Sequence, residues 1–233
     1  MKIIIKSILI VLFFTSYKNP PTTGQISDHA PMNPVIGFFH KEDLALKGPV
    51  KMAGDDYFDK NGNVIKSMTD VFTHSNTKIT MKTGDILYTY LKNNKEQIIE
   101  MTISGKDEST FFTYNNSGLL ETEYGIENGI SYKTIYDYDI NGRIKQYTYI
   151  YGNDPIQIHY YNYKELKNNT LEITITFNNS EQKEIYHYKN GIMVASTYNG
   201  TTSTYSYKFD KQGNWTTQTT DSGSFTKRTV KYY

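Results

Sequence analysis

The chain contains no cysteine. That excludes disulfides, thiolate metal sites, a cysteine nucleophile and lipid attachment at an N-terminal cysteine, so the fold must stand on packing and hydrogen bonds alone. Blocks of like charge are also missing: 25 Lys and Arg against 24 Asp and Glu leave a net charge of +1, scattered along the chain. Without an electrostatic footprint, nucleic acid and anionic membrane are not expected partners. The chain has no Gly-x-Ser-x-Gly elbow, no phosphate loop and no dense acidic calcium loop; Asp55, Asp56 and the later aspartates therefore read as turn formers. His29, His40, His74, His159 and His187 occur in no metal-ligand spacing and read as strand-surface residues. No metal and no cofactor is expected. Glu100, Glu121, Glu123 and Glu172 could serve a hydrolase only if two of them faced each other across a cleft, and otherwise read as solvated strand residues.

Long hydrophobic runs are confined to the first 16 residues, where Lys2 and Lys6 stand before a short apolar run, Ile8 to Phe14, that ends in small polar residues. This is the pattern of a secretory signal peptide, residues 1–16, with cleavage between 16 and 24. The run is shorter than the ~20 apolar residues of a spanning helix, so no transmembrane anchor is expected after cleavage. Residues 17–45 hold Pro20, Pro21, Pro31 and Pro34 among polar residues and read as a mobile linker with at most one helical turn. Residues 46–233 form the remaining domain. No helical periodicity follows Leu46.

What the chain has in excess is tyrosine, 22 of them, with aromatics at 15% and threonine and isoleucine in support. That is a strand vocabulary. The residues recur in a unit shown best by Tyr136-Asp137-Tyr138-Asp139-Ile140-Asn141-Gly142-Arg143-Ile144: Asp139 bonds its own backbone two residues on, and Gly142 supplies the positive φ that closes a hairpin loop with a bulge. In that loop Asp139 should face Arg143, Tyr138 should face Ile144, and Tyr136 should face Gln146. Aligning copies on glycine (Gly62, Gly118, Gly142, Gly213) puts Asp59, Asn115, Asp139 and Asp210 three residues before it. Phe58, Tyr114, Tyr138 and Phe209 stand four before, and Val64, Leu120, Ile144 and Trp215 two after, as cross-strand partners. Tyr88 to Ile99 is a copy without glycine in which an asparagine takes the turn, Tyr161 to Ile173 carries a longer loop, and Asn190-Gly191 fits a two-residue type I′ turn.

Turns at 118, 142, 169, 191 and 213 recur roughly every 22–27 residues, with return turns between them. The fold class is therefore all-β: an antiparallel up-and-down meander of hairpins in one strongly twisted or coiled single sheet, with closure into a barrel as the alternative. Leu171-Glu172-Ile173-Thr174-Ile175-Thr176-Phe177 alternates strictly, giving one greasy face to hide.

These copies resemble the YD repeat, Tyr-x-Tyr-Asp-x-x-Gly-x-Leu, of rearrangement-hotspot and teneurin-type proteins. Tyr136, Tyr138, Asp139, Gly142 and Ile144 carry the match, with Tyr207, Phe209, Asp210, Gly213 and Trp215 as an aromatic-substituted copy. The resemblance implies an antiparallel sheet wound in a spiral, which in large family members shells a toxin domain. This chain is far shorter and has no recognisable self-cleaving segment or toxin domain. It is more similar to the small exported bacterial proteins that carry a few such repeats.

The functional expectation is a non-enzymatic, exported binding or scaffolding module, periplasmic, surface-held or secreted, whose partner is a protein or glycan of the cell envelope. One alternative is a carbohydrate-binding or carbohydrate-active protein; another is an accessory or immunity partner of a secreted toxin. Tyr147, Tyr149, Tyr151, Tyr160 and Tyr161 are the candidate ligand-binding residues, as surplus aromatics on the exposed face.

Overall fold

A computed structural model describes Pro34 and residues 36–233; the signal-peptide expectation and most of the linker lie outside the described residues. Nineteen strands follow a single 3₁₀ turn, Lys41–Leu44. In order they are β1 Val50–Ala53, β2 Asp56–Phe58, β3 Val64–Ser67, β4 Asp70–His74, β5 Lys78–Thr83, β6 Ile86–Lys92, β7 Ile98–Ile103, β8 Ser109–Tyr114 and β9 Leu120–Glu127. Then come β10 Ile130–Tyr138, β11 Ile144–Tyr151, β12 Asp154–Leu166, β13 Thr170–Phe177, β14 Ser180–Lys189 and β15 Ile192–Tyr198. The last four are β16 Thr201–Phe209, β17 Trp215–Thr220, β18 Phe225–Lys227 and β19 Val230–Tyr232. Each strand from β1 to β17 pairs antiparallel with the next, one meander.

The hairpin turns form as their residues dictate. Asp139 Oδ1 accepts from the amides of Asn141 and Arg143, its Oδ2 from Arg143 Nε at 2.7 Å, and the Gly142 amide returns to the Asp139 carbonyl. Asp59, Asn115 and Asp210 repeat this network, and Gly62, Gly118 and Gly213 share the positive φ of Gly142. In the glycine-less copy Asn93 plays the aspartate, but it is Glu96, φ +61°, that takes the left-handed position rather than an asparagine. Asn190-Gly191 has φ of +50° and +78°, as a type I′ turn requires.

The expected pairs Phe58↔Val64, Tyr114↔Leu120, Tyr138↔Ile144 and Phe209↔Trp215 are all present. One register expectation is corrected. Tyr136 lies opposite Tyr147, not Gln146, because a bulge after Ile144 inserts one residue before the ladder resumes at Asp137↔Gln146. The same slip follows the turn in the other copies, and it sharpens the local twist.

Successive hairpins separate at this end of the sheet, and a tyrosine bridges four of the forks, with His74 meeting the Val64 carbonyl in the same position at β3–β4. The β9–β10 ladder stops at Thr122↔Ile135; the Leu120 carbonyl beyond it accepts the Tyr138 hydroxyl at 2.5 Å. Tyr114 does the same for Ile98, Tyr163 for Ile144 and Tyr207 for Met193, at 2.7–2.8 Å. Every case has one geometry, with the tyrosine three residues past the last pair and the carbonyl two before it. Phenylalanine could pack there but could not satisfy the carbonyl.

The sheet curls until its ends meet on one segment. β18 pairs with β17 and β19 with β1, while the Arg228 amide still donates to Thr216 and the Thr229 carbonyl already accepts from Gly54. No strand pair closes the sheet across this seam; the stretch 225–232 changes partner instead.

Residues 36–45, assigned to the linker from composition, are corrected to part of the core. Phe39 is buried against Phe72 and Tyr90, with ring centroids 6.2 and 4.8 Å away. Lys41 and Phe39 bond the first hairpin through Gly62 and Val64. Asn214, 2% exposed, bonds both the amide and the carbonyl of Lys47, tying the same segment to the last full hairpin turn. The segment thus straps the hairpin-turn end of the curled sheet, which composition hid because its prolines and polar residues flank a few buried anchors.

Replacing Tyr138 with Phe keeps the ring and strips the fork of its donor, so chemical denaturation should show a loss of about 1–3 kcal/mol. Tyr160→Phe, on the other face, should stay within about 0.5 kcal/mol, and equal losses in the two variants would contradict the fork.

Candidate functional site

The curl buries one face of the sheet, and that face carries the tyrosines. Along β10 to β13 the register sets Tyr136, Tyr147, His159 and Phe177 side by side, with ring centroids 5.8, 5.0 and 4.6 Å apart. Beside this row run Tyr161, Ile175 and Glu184, then Tyr163, Ile173 and Tyr186. They surround a cavity of about 2010 Å³ that reaches the return-turn end of the sheet at Glu127, Asn178 and Ser180.

Of the expected ligand-binding residues, Tyr147, Tyr149, Tyr151 and Tyr161 all line this cavity. They do not sit on an exposed outer face as expected. Tyr147 and Tyr161 are buried, while Tyr149 and Tyr151 are half-buried. The physical reason is parity: 147, 149 and 151 share a face, and the bulge after Ile144 turns that face inward. Tyr160 alone of the five points the other way and is 40% exposed.

Three inward polar groups escaped the sequence reading. Glu123 is tucked beside Tyr136; desolvation pushes its carboxyl above the usual range, against the hydrogen bond from the Tyr136 hydroxyl. Glu184 accepts the Tyr186 hydroxyl at 2.6 Å. His159 Nε2 is buried with no hydrogen-bond partner, and desolvation lowers its pKa while Glu184 pulls it back up. Glu184 could have been found from parity, since 184, 186 and 188 share one face; Glu123 could not, because the bulge in its hairpin shifts the count. Glu172 instead meets His187 at 3.1 Å on the outer face.

The wall opposite is built by β16, β17 and the seam, with Tyr207, Phe209, Trp215, Gln218 and Arg228. Gln218 donates to the Tyr207 hydroxyl at 2.9 Å, and the Arg228 guanidinium lies 3.9 Å from the centre of the Trp215 ring. Burial raises the phenols of Tyr136, Tyr149 and Tyr161 and takes Tyr147 to about 12, so at neutral pH these rings present hydroxyls and not phenolates. Among the described residues no group of three His, Asp or Glu side chains could hold a metal ion. Five strand steps lie between Glu123 and Glu184, roughly 24 Å along the sheet at the usual strand spacing. The arrangement offers aromatic faces and hydroxyls for binding.

No family model matches the chain, and no curated protein matches it. Solved structures similar in strand arrangement include a porin-like protein from Bacteroides uniformis, 12% identical, TM-score 0.37, covering 70% of this chain and 93% of that one. A porin-like protein from Bacteroides vulgatus is 13% identical, with TM-score 0.43, covering 79% and 98%.

Glu123 sets a pH test. Its folded pKa is raised above the ordinary 4.5, so the stability it contributes is present below 4.5 and is lost as pH rises through the folded value. Glu123→Gln should therefore melt higher than the parent at neutral pH and converge with it below pH 4.5. A constant offset at every pH would contradict the burial.

Proposed function

We propose that this protein is a non-catalytic, exported binding module of the cell envelope that takes a glycan into its tyrosine-lined interior. The observation that carries the reading is the cavity itself: about 2010 Å³, with Tyr147, Tyr149, Tyr151 and Tyr161 on one wall and Tyr207, Phe209 and Trp215 on another. Ligand sites for single small molecules run to about 1,000 Å³, so this one has room for several sugar rings. A sugar ring offers an apolar face for stacking and a rim of hydroxyls, and a lining of rings tipped with hydroxyls answers both. A protein partner gripping these tyrosines from outside is disfavoured, because they face in. Glycan hydrolysis is disfavoured because Glu123 and Glu184 each accept a hydrogen bond from a neighbouring tyrosine and do not face each other as a pair.

The outer face supports work in water. Lys66, Lys82, Lys133, Lys145, Lys164 and Lys208 are exposed there, on six different strands. Bilayer-spanning barrels put an apolar band outward, and a lysine at mid-membrane costs about 2–4 kcal/mol. No helix among the described residues is long and apolar enough to cross a membrane. Export rests on the N-terminal signal pattern.

The test is calorimetric titration of residues 34–233 with envelope oligosaccharides, peptidoglycan fragments included. Tyr149→Ala should weaken binding by about tenfold, some 1.4 kcal/mol, and Tyr160→Ala should leave it unchanged. Equal effects of the two variants, or release of shortened glycans, would overturn the reading.

A further inference from the structure

The chain has two arginines, and the fold uses them differently. Arg143 spends its guanidinium on Asp139, with Nε 2.7 Å from the carboxylate, and stacks on Tyr163. Arg228 also stacks, on Trp215, and its Nε donates to the Trp215 carbonyl at 3.2 Å. Yet no carboxylate lies within 4.0 Å of Arg228 among the described residues. The acidic groups nearest in effect are Asp210 and Asp56. Asp210 is committed elsewhere: it accepts from the amides of Gln212 and Asn214 and from the Tyr232 hydroxyl. A half-buried, unpaired cation is thus held on the cavity wall. Burial lowers its pKa to about 10, against the pull of Asp210 and Asp56.

The surroundings narrow the anion. Phe209 occupies the same place in its hairpin as Phe58, but Phe58 is 1% exposed and Phe209 is 47% exposed, open toward the cavity. Tyr207 stands beside it at a centroid distance of 6.1 Å, with Gln218 bonded to the Tyr207 hydroxyl. Lys47, also on the cavity wall, adds a second positive charge. Phe209 and Arg228 flank Trp215, one across the β16–β17 ladder and one stacked on its ring, and an uncovered ring with a planar, fork-shaped donor one strand beyond it suits a ring-shaped ligand bearing a carboxylate.

Resting on the glycan reading above, we infer that Arg228, Phe209 and Trp215 form a subsite for an acidic sugar, a uronic-acid-type residue whose carboxylate pairs with the Arg228 guanidinium while its ring packs on Phe209. Trp215 keeps the guanidinium in place, and Lys47 contributes long-range attraction.

The test compares a galacturonate tetramer with its methyl ester, which keeps the rings and removes the charge, and with a triglutamate peptide, which keeps the charge and removes the rings. Calorimetric titration at fixed salt should show the acid binding about tenfold tighter than the ester, as a charge-assisted bond warrants. Arg228→Gln should erase that ratio with the thermal midpoint checked alongside. Phe209→Ala, at an exposed position, should weaken acid and ester together and leave the ratio intact. Equal binding of acid and ester would overturn the acidic subsite and leave the cavity reading standing. Binding of the peptide without the tetramer would overturn the sugar, and binding of none would overturn both.

Discussion

A hydroxyl on a carbonyl at the fork between hairpins is the constraint from which the rest of the structure follows. The turns at Asp59, Asn93, Asn115, Asp139 and Asp210 are each followed by a bulge, the bulge twists the strands, and adjacent hairpins draw apart at the turn end. At four of these forks that leaves one backbone acceptor without a ladder partner, and an unmet buried carbonyl is costly. Tyr114, Tyr138, Tyr163 and Tyr207 meet it from the neighbouring hairpin. Repeated around the meander, the same wedge curls the sheet toward the face that carries the tyrosines.

The curl then separates two chemistries. Inside, rings stack in rows and hydroxyls satisfy one another, as Tyr132 does with Thr110 at 2.7 Å, so polar groups can be buried without ionising. Outside, lysines such as Lys66 and Lys133 meet water among exposed apolar side chains such as Ile99 and Phe111. Toward the first strands the interior is filled by Phe39, Leu46, Phe58 and Val64, and toward the later strands it stays open. The long strands β10–β14 outreach the strap 36–49, which explains why the cavity lies on their side.

Local chemistry made the hairpins readable from sequence: Asp139, Gly142 and the pair Tyr138–Ile144 all behave as their residue types require. Strict alternation in Leu171 to Phe177 likewise told which face is apolar. Two things were hidden. A single inserted residue at each bulge reverses parity, so Tyr147 read as a surface residue although it faces in, and Glu123 read as solvated. Long-range contacts were hidden too: Asn214 finds Lys47 across almost the whole chain, and no local pattern announces such a partner. Arg228 became meaningful only when the seam placed it over Trp215.

The measurement closest to the central claim is a spectrophotometric titration of tyrosine ionisation under native conditions. An inward-facing, desolvated set should split in two. Tyr90, Tyr114, Tyr132 and Tyr147 should ionise only at about 12, and the most buried phenols only when the sheet unfolds. A single transition near pH 10 that takes in all the tyrosines while the strand signal in circular dichroism persists would contradict the account.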